Sequence, residues 1–272
     1  DGFGAIVRRQ ANGMDRTQLQ ASIDDLVTEW QTSCANCDPA VPACLYDGGN
    51  LFQRACRLVP LASYHMCKIG DVHSEAIDAA ISLAIQPSLR LPSGGKLWCQ
   101  RTHSLWAIDI DGAEADVQHY GFGGLFGEAA VEIARQIRLR GMSGPIMIDV
   151  PRAGLANKKF RSKLQKCLDV DPQNTEMLGT TRSGMLELWR PHGRVPLADI
   201  MADNVAQAAL AGLRLAAMRP AFKPVNLAVN SAMADWLAGD GKAAVMALNR
   251  PLEIDICLDD GNATMAYIID KG

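Results

Sequence analysis

A strand–helix–strand pattern in the middle of the chain constrains the fold more than any other feature of the sequence. Apolar runs over Leu105–Ile110 and Pro145–Val150 have the length and composition of buried strands. Between them, Glu128–Arg140 repeats apolar residues at the i, i+3, i+4 and i+7 spacing of an amphipathic helix. Such a unit almost always folds as a right-handed crossover between two parallel strands. We therefore expect an α/β fold of mixed α+β character, built around a partly parallel sheet.

Shorter elements are predicted on both sides of this unit by the same periodicity arguments. Before the crossover, the predicted elements are strand Ala5–Val7, helices Arg16–Trp30 and Ser74–Ile85, and strand Lys96–Gln100. After it, they are a basic helix over Leu155–Leu168, a hairpin of Glu176–Thr180 and Met185–Trp189, helices Ala202–Ala217 and Ser231–Leu237, and strands Glu253–Leu258 and Ala263–Ile269. Residues 200–272 are thus predicted to form a smaller α/β unit.

Composition and charge are those of an ordinary globular protein. The 272 residues are 48% apolar and 21% charged, and no apolar run approaches the roughly 18–20 residues of a membrane-spanning helix. The formal net charge is −3, but residues 131–200 carry 12 Lys and Arg against 7 Asp and Glu. A basic middle in an acidic chain can attract a polyanion, and an ordinary solvated helix face is the alternative interpretation.

The cysteine pattern favours a reducing cytoplasm, because a chain of this length does not need disulfide bonds to be stable. Five of the eight cysteines lie among apolar neighbours, as buried free thiols do: Cys56, Cys67, Cys99, Cys167 and Cys257. Cys34, Cys37 and Cys44 have a spacing that is also found in metal loops. Structural zinc usually needs two close pairs of ligands, and the second pair is missing here. A metal loop and a loop with ordinary thiols both remain open interpretations.

Two aspartates interrupt the apolar strands of the central unit near their carboxyl ends. These are Asp109 and Asp149, and Asp111 points to the same face of its strand as Asp109. Ligands collect at the carboxyl ends of parallel strands, and two carboxylates leave most of a Mg²⁺ octahedron for water and phosphate oxygens. The sequence therefore predicts a divalent-metal site at this edge, with an acidic cap on the strand ends as the alternative.

A distinctive set of motifs surrounds these aspartates. It consists of Arg90–Gly95, Thr102, Ala107–Ile110, Glu128–Arg140, Ile146–Asp149, Asp171 and Thr181–Arg190. Together these residues resemble the catalytic region of the ribonuclease E/G endoribonucleases. The resemblance is specific over residues 90–190, and it is looser but collinear on either side.

The resemblance implies Mg²⁺-dependent cleavage of single-stranded RNA, leaving a 5′-phosphate and a 3′-hydroxyl. It also implies a domain order: a partial 5′-sensor-like segment (1–50), an RNase H-like segment (51–100), a DNase I-like catalytic subdomain (101–198) and a small C-terminal α/β domain (199–272). The chain is expected to be a compact or truncated form that lacks the family's OB-type RNA-binding barrel. A homo-oligomer is compatible with the resemblance, and no membrane partner is expected.

The same resemblance assigns roles to individual residues. Asp109 and Asp149 would bind the metal, and Asp111 would complete the catalytic set. Arg8 falls on the family's phosphate-binding arginine of the 5′-end sensor, and Arg9 follows it. Further candidates for binding the RNA backbone are Arg135, Arg138, Lys158, Lys159, Arg182 and Arg190. Trp189 or Phe126 could stack on a base, although core packing is the commoner role of an aromatic residue at such a position.

The chain departs from the family pattern at four places. Asp111 stands where Asn is usual, Phe126-Gly127 replaces a Thr-Asn pair, and Arg9 replaces the sensor's Thr. The family's Cys-x-x-Cys zinc link is missing from Pro196–Val205, so a zinc-linked dimer is not expected. These departures motivate an alternative function: an RNA-binding or scaffold protein that keeps the fold but has weakened chemistry.

Overall fold

The computed structural model describes residues 3–7, 11, 14–35, 44, 74–112, 117–151, 158–220, 224–248, 252–256 and 265–269. The chain divides into two compact units, residues 1–66 and 67–272. In the described part of the first unit, the regular element is helix α1, Arg16–Ala35. Residues 3–7 are exposed and do not form the predicted strand Ala5–Val7, so that prediction is wrong. A strand of three residues is not stable without a pairing partner, and the described residues provide none.

Helix α1 begins with a reciprocal cap and buries none of its side chains. The Gln18 backbone N–H donates to Asp15 Oδ1 at 2.8 Å, and the Asp15 N–H donates to Gln18 Oε1 at 3.1 Å. Leu26 and Trp30 of the predicted apolar stripe are both exposed. In the described part of the chain, no helix combines the length and the apolar character needed to cross a bilayer.

A six-stranded sheet forms the centre of the second unit. Its strands are β1 (Ser88–Arg90), β2 (Lys96–Arg101), β3 (Trp106–Asp111), β4 (Gly144–Asp149), β5 (Glu176–Thr180) and β6 (Leu186–Arg190). The strand order is β1-β2-β3-β4-β6-β5. Strands β3 and β4 pair in parallel, and the other neighbouring pairs are antiparallel. The predicted parallel pairing and the predicted hairpin are therefore confirmed.

Three helices belong to the same region: α2 (Ser74–Ile85), α3 (Val117–Arg140) and α4 (Lys158–Leu168). Helix α3 connects β3 to β4 and packs against one face of the sheet, where Ile133 and Ile137 are fully buried. Helix α4 packs beside α3, and the rings of Phe126 and Phe160 meet edge to face at 6.1 Å. Each fully buried aliphatic or aromatic side chain in this layer contributes about 1.5–3 kcal/mol to stability.

The first sheet continues across one of the predicted domain boundaries. Strand β2 pairs along its whole length with β3, from Lys96 opposite Asp111 to Arg101 opposite Trp106. The predicted boundary between residues 100 and 101 falls inside this strand, so the sheet includes residues on both sides of it.

A second, three-stranded sheet lies near the C-terminus, in the order β8-β7-β9. Its strands are β7 (Val225–Val229), β8 (Leu252–Ile256) and β9 (Tyr267–Ile269), and the accompanying helices are α5 (Leu197–Ala202), α6 (Asn204–Ala217), α7 (Ser231–Ala238) and α8 (Lys242–Ala247). The predicted helix over Ala202–Ala217 is interrupted at Asp203, whose side chain caps α6 by accepting from the Ala206 N–H at 2.9 Å. Helix α6 approaches this sheet closely at Gly212, where an added Cβ would lie 2.6 Å from the Cβ of Ala266.

Four of the cysteines lie in the described part of the chain, and none of these four forms a disulfide. Cys99 is buried, as predicted, and burial raises its pKa to about 11, partly offset by the positive charge of Arg140. A thiol with such a pKa is protonated and unreactive at neutral pH. Cys34 and Cys44 are exposed, whereas Cys37, the third member of the predicted metal loop, lies outside the described residues.

Candidate functional site

The two faces of the six-stranded sheet have different surroundings. On one face, Ile108 and Ile148 are buried beneath α3 and α4, and we call this the helical face. Because side chains alternate along a strand, Asp109 and Asp149 point to the opposite face, where both are exposed. We call this second side, which carries Trp98, Asp109 and Asp149, the open face.

The strand register brings the two aspartates together. Asp109 of β3 lies directly opposite Asp149 of β4 in the parallel pair. Neighbouring strands are about 4.8 Å apart, so the two carboxylates are adjacent on the open face. Asp111 lies two residues further along β3 on the same face, opposite Lys96 of β2. We refer to Asp109, Asp111 and Asp149 as the carboxylate cluster.

The charges of this cluster interact. The pKa of Asp109 is raised above the usual value, first by partial burial and then by the negative charges of Asp149 and Asp111. A hydrogen bond from the Ile110 backbone opposes this shift. The negative charges of Asp149 and Asp111 therefore act on Asp109. A bound cation would relieve this repulsion.

The carboxylates at this place suit a divalent cation that keeps several water ligands better than a cation that is enclosed by protein ligands alone. In the described part of the chain, no three His, Cys, Asp or Glu side chains are arranged so that they could hold one metal ion. The aligned pair Asp109 and Asp149 supplies two carboxylates. Mg²⁺ is commonly bound in this way, through one or two carboxylates together with water and phosphate oxygens.

A short loop supports the end of the strand that carries the cluster. In the β1–β2 connection, the Ser93 backbone N–H donates to Glu128 Oε2 of α3 at 2.9 Å. A Cβ added at Gly95 would lie 2.5 Å from Leu125 Cδ1 and 3.1 Å from the backbone oxygen of Asp111. Glycine at position 95 thus lets the loop pack directly against the end of β3. Glu128 was not among the predicted site residues, although its helix and Ser93-Gly94-Gly95 both belong to the motif set that surrounds the aspartates.

A sequence family model described as "Ribonuclease E/G family" matches residues 62–192, which include the whole carboxylate cluster and α3. The matched segment of the chain belongs to the ribonuclease E/G family. The prediction made from the motifs is confirmed at this level.

Three relatives illustrate the extent of the similarity. Ribonuclease E of Escherichia coli K12 is 28% identical over 230 residues, covering 70% of this chain and 22% of the relative. Ribonuclease E of Haemophilus influenzae is 24% identical over an alignment of 318 residues, covering 97% of this chain and 34% of the relative. The chloroplastic ribonuclease E/G-like protein of Arabidopsis thaliana is 22% identical over 283 residues, covering 83% of this chain and 27% of the relative. The chain thus spans about a fifth to a third of the length of these relatives.

Most basic candidates of this ribonuclease E/G family member lie away from the carboxylate cluster. Arg135 and Arg138 are exposed on α3, and Arg135 Nη1 forms an ion pair with Glu132 at 2.8 Å. Lys158 and Lys159 are exposed at the start of α4. Because α3 and α4 cover the helical face, these four side chains lie on the side of the sheet opposite the cluster.

The two arginines of the β5–β6 hairpin differ sharply from each other. Arg182 is exposed to solvent in the turn. Arg190 is 3% exposed, donates to Asp171 Oδ2 at 2.8 Å and donates to the Met142 carbonyl oxygen at 2.9 Å. Arg190 is therefore part of a buried ion pair, and the prediction that it contacts RNA is corrected. Its burial depends on Asp171, which is 19 residues earlier in the chain.

A cluster of lysines on α4 extends the basic surface beyond the predicted residues. The lysines surround an open depression of about 490 Å³. Its lining residues are Lys158, Lys159, Ser162, Lys163 and Lys166. Lys163 and Lys166 were missed in the sequence analysis. Their positions follow from helical spacing, because Phe160, Leu164 and Leu168 occupy the buried side of the same helix.

The remaining predicted site residues are placed as follows. Arg8 and Arg9 lie outside the described residues. Phe126 is 1% exposed and belongs to the core, so it cannot stack on a base. Trp189 is 41% exposed and lies on the open face, because it pairs with Pro145 of β4. Trp98, a residue that the sequence analysis did not select, lies on this face much closer to the cluster.

Proposed function

We propose that the protein is a Mg²⁺-dependent endoribonuclease that hydrolyses phosphodiester bonds of single-stranded RNA at the carboxylate cluster. The observation that carries the proposal is the direct register of Asp109 with Asp149 inside the segment that matches the ribonuclease E/G family. The proposed products are a 5′-phosphate and a 3′-hydroxyl.

Asp109 and Asp149 are the residues that would hold the cation. A divalent ion bound there supplies an activated water and stabilises negative charge on the phosphodiester. Asp111 would orient the attacking water toward phosphorus by accepting a hydrogen bond from it. The Ser93–Glu128 hydrogen bond joins the loop beside the end of β3 to α3.

We propose RNA contacts from basic residues in several parts of the chain. They are Arg8, Arg9, Arg135, Arg138, Lys158, Lys159 and Arg182, extended by Lys163 and Lys166. Phosphate contacts from lysine and arginine would supply salt-sensitive affinity without sequence preference. We also propose that the sheet from Ser88 to Arg190 is the DNase I-like subdomain, preceded by 5′-sensor-like and RNase H-like segments and followed by the small C-terminal domain. The free thiols of Cys99 and Cys167 favour a cytoplasmic setting.

Substitution of Asp149 provides the direct test of the activity. Labelled single-stranded RNA is incubated with the parent protein and with Asp149→Asn, with and without Mg²⁺, and the product ends are analysed. We expect Mg²⁺-dependent cleavage by the parent and a loss of at least about 100-fold in the variant, because a metal-holding carboxylate is removed. Asp235→Asn, at an exposed position of α7, is the matched control and should cleave as the parent does. Equal cleavage by Asp149→Asn and the parent would show that the metal site is assigned wrongly.

A second function, RNA binding without cleavage, is favoured by one observation. Phe126, which replaces a polar residue of the family pattern, is buried against Phe160 and cannot contact a substrate. A binding or scaffold protein would bind RNA in a salt-sensitive manner and would cleave it at no Mg²⁺ concentration. The same assay therefore separates the two functions.

A further inference from the structure

Trp98 is an exposed tryptophan in a row of residues that contains the carboxylate pair. Its strand neighbours Leu97 and Cys99 are 0% and 3% exposed on the helical face, whereas Trp98 is 37% exposed on the open face. In the β2–β3 register, Trp98 lies directly opposite Asp109, and Asp109 lies directly opposite Asp149. The three side chains therefore form one straight row across three adjacent strands.

The spacing of this row fits one nucleotide and its phosphate. Adjacent strands are about 4.8 Å apart, so the indole of Trp98 stands beside Asp109 and about two strand spacings from Asp149. A phosphate held over the carboxylate pair through a cation leaves the neighbouring base one strand away, over the indole. An unpaired base presents a free face for such a contact, whereas a base inside a duplex is already stacked.

Electrostatics gives a reason for an aromatic contact at this place. The carboxylate cluster repels the RNA backbone except where a cation lies between them. An indole increases the affinity for RNA without adding charge, because stacking on a nucleobase requires only the two π faces. Next to the cluster, base stacking is therefore a more effective contact than a further ionic one.

We propose that Trp98 stacks on the nucleobase next to the bond that is cleaved, and that it thereby positions single-stranded RNA on the open face. This inference rests on the proposed function, because it takes the carboxylate pair as the place where the phosphate is held. Trp98 is a positioning residue: it fixes the base and leaves the hydrolysis to the carboxylate cluster.

Trp189 provides a matched comparison on the same face. It is 41% exposed, but it lies opposite Pro145, four residues before Asp149 on β4. At about 3.3 Å per residue, this row is about 13 Å from the row of Trp98. The register therefore assigns the stacking role to Trp98 and leaves Trp189 as the control tryptophan.

The experiment measures RNA binding and RNA cleavage separately. Binding of a fluorescent single-stranded oligonucleotide is followed by anisotropy with Ca²⁺ in place of Mg²⁺, so that a divalent ion can lie between the cluster and the phosphate while cleavage is limited. Cleavage is followed with Mg²⁺ at several RNA concentrations. We expect Trp98→Ala to bind single-stranded RNA roughly 5- to 100-fold more weakly, and Trp98→Phe to retain most of the affinity. Trp189→Ala should differ from the parent by less than about twofold. In cleavage, the loss in Trp98→Ala should fall mainly on KM.

An abasic substrate tests the contact itself. Removing the base next to the cleaved bond should weaken binding to the parent by about as much as Trp98→Ala weakens binding to intact RNA, and the two losses should not add. If no product forms, a series of oligonucleotides with the abasic position moved along the strand identifies the contacted base by binding alone. Thermal melting of each variant shows that the folds are equivalent before affinities are compared.

The outcomes distinguish the inference from the proposed function. Trp98-dependent binding with no cleavage at any Mg²⁺ concentration would retain the stacking contact and reject the nuclease. Asp149-dependent cleavage with unchanged KM and affinity in Trp98→Ala would retain the nuclease and overturn the stacking contact. An equal loss in Trp98→Ala and Trp189→Ala, or additive losses with the abasic RNA, would also overturn it.

Discussion

The two faces of the six-stranded sheet are built from the same strands, yet one of them stabilises the fold and the other carries the candidate chemistry. Ile108 and Ile148 on the helical face are buried under α3 and α4, while Asp109 and Asp149, each adjacent in sequence to one of them, are exposed. Alternation along a strand separates the two roles by a single residue. Substitutions on the helical face should therefore act on stability, and those on the open face should act on the reaction.

The largest expected effect tests Arg190, a residue that the sequence alone assigned to RNA binding. In Arg190→Ala, Asp171 stays buried without its partner, and we expect a loss of about 3–5 kcal/mol in the free energy of unfolding, measured by urea denaturation. Affinity for RNA, measured on the folded fraction, should stay within about twofold of the parent. Arg182→Ala, in the exposed turn of the same hairpin, is the control and should hardly change stability. If the variant stays stable but loses RNA affinity, Arg190 contacts RNA and its interpretation as a buried structural residue is wrong.

Asp109→Asn should lower the activity and slightly raise the stability, whereas Arg190→Ala should lower the stability. We expect at least about 100-fold slower cleavage, because one of the two metal-holding carboxylates is lost. The pKa of Asp109 is raised in the folded state, so the folded protein binds that proton more readily than the unfolded chain, and its stability falls as the pH rises between the ordinary and the raised pKa. At neutral pH the charge therefore destabilises the fold, and its removal should raise the melting temperature, by roughly 1–2 °C because the exposed group is screened by solvent.

Calorimetric scans of Asp109→Asn and of the control Asp235→Asn at pH 7, without divalent ions, measure this change. A lower melting temperature for Asp109→Asn would contradict the repulsion that the cluster implies.

The lysines of α4 allow a test of how far the RNA extends around the sheet. Lys163→Ala combined with Lys166→Ala should reduce the slope of log affinity against log salt by about 1.4, at roughly 0.7 per phosphate contact on a single strand. The rate at saturating RNA should not change, because these residues lie on the exposed surface of α4, away from the carboxylate cluster. Lys242→Ala, on the exposed surface of α8, is the control. An unchanged slope in the double variant would show that RNA does not contact the lysines of α4.

The smallest expected effect concerns pH. Protons compete with the cation for Asp109, so cleavage at limiting Mg²⁺ should decrease on acidification, and it should do so at a higher pH than an ordinary aspartate would require. Asp111→Asn removes one of the negative charges that raise this pKa, so the acid limb of the rate profile should move to lower pH. Rate measurements between about pH 5 and 8, with Asp235→Asn as reference, follow this shift. A limb that stays in place, or moves to higher pH, contradicts the coupling between Asp111 and Asp109.

The central crossover was predictable because its two strands and its helix have clear, different periodicities. The adjacency of Asp109 and Asp149 followed from the rule that parallel strands meet at their carboxyl ends. Strand Val225–Val229 was missed because all five residues are buried, so there is no alternation to detect.

The missed and corrected site residues share one cause, which is dependence on distant partners. Arg190 has the composition of a surface residue, and only its pairing with Asp171 shows that it is internal. From the sequence alone, Trp98 could not be distinguished from the other apolar residues of its strand. The alternation of Leu97 and Cys99 with Trp98 and Gln100 was the available signal, but its meaning depended on the register with β3.

The position of the α4 lysines has a consequence for substrate length. An oligonucleotide of a few residues can occupy either the row of Trp98, Asp109 and Asp149 or the lysine-lined depression, since a layer of strands and helices lies between the two. Only a longer strand can pass around the edge and engage both. Elongation of the substrate should therefore improve its capture abruptly once this path is spanned, while the turnover of molecules already bound stays the same.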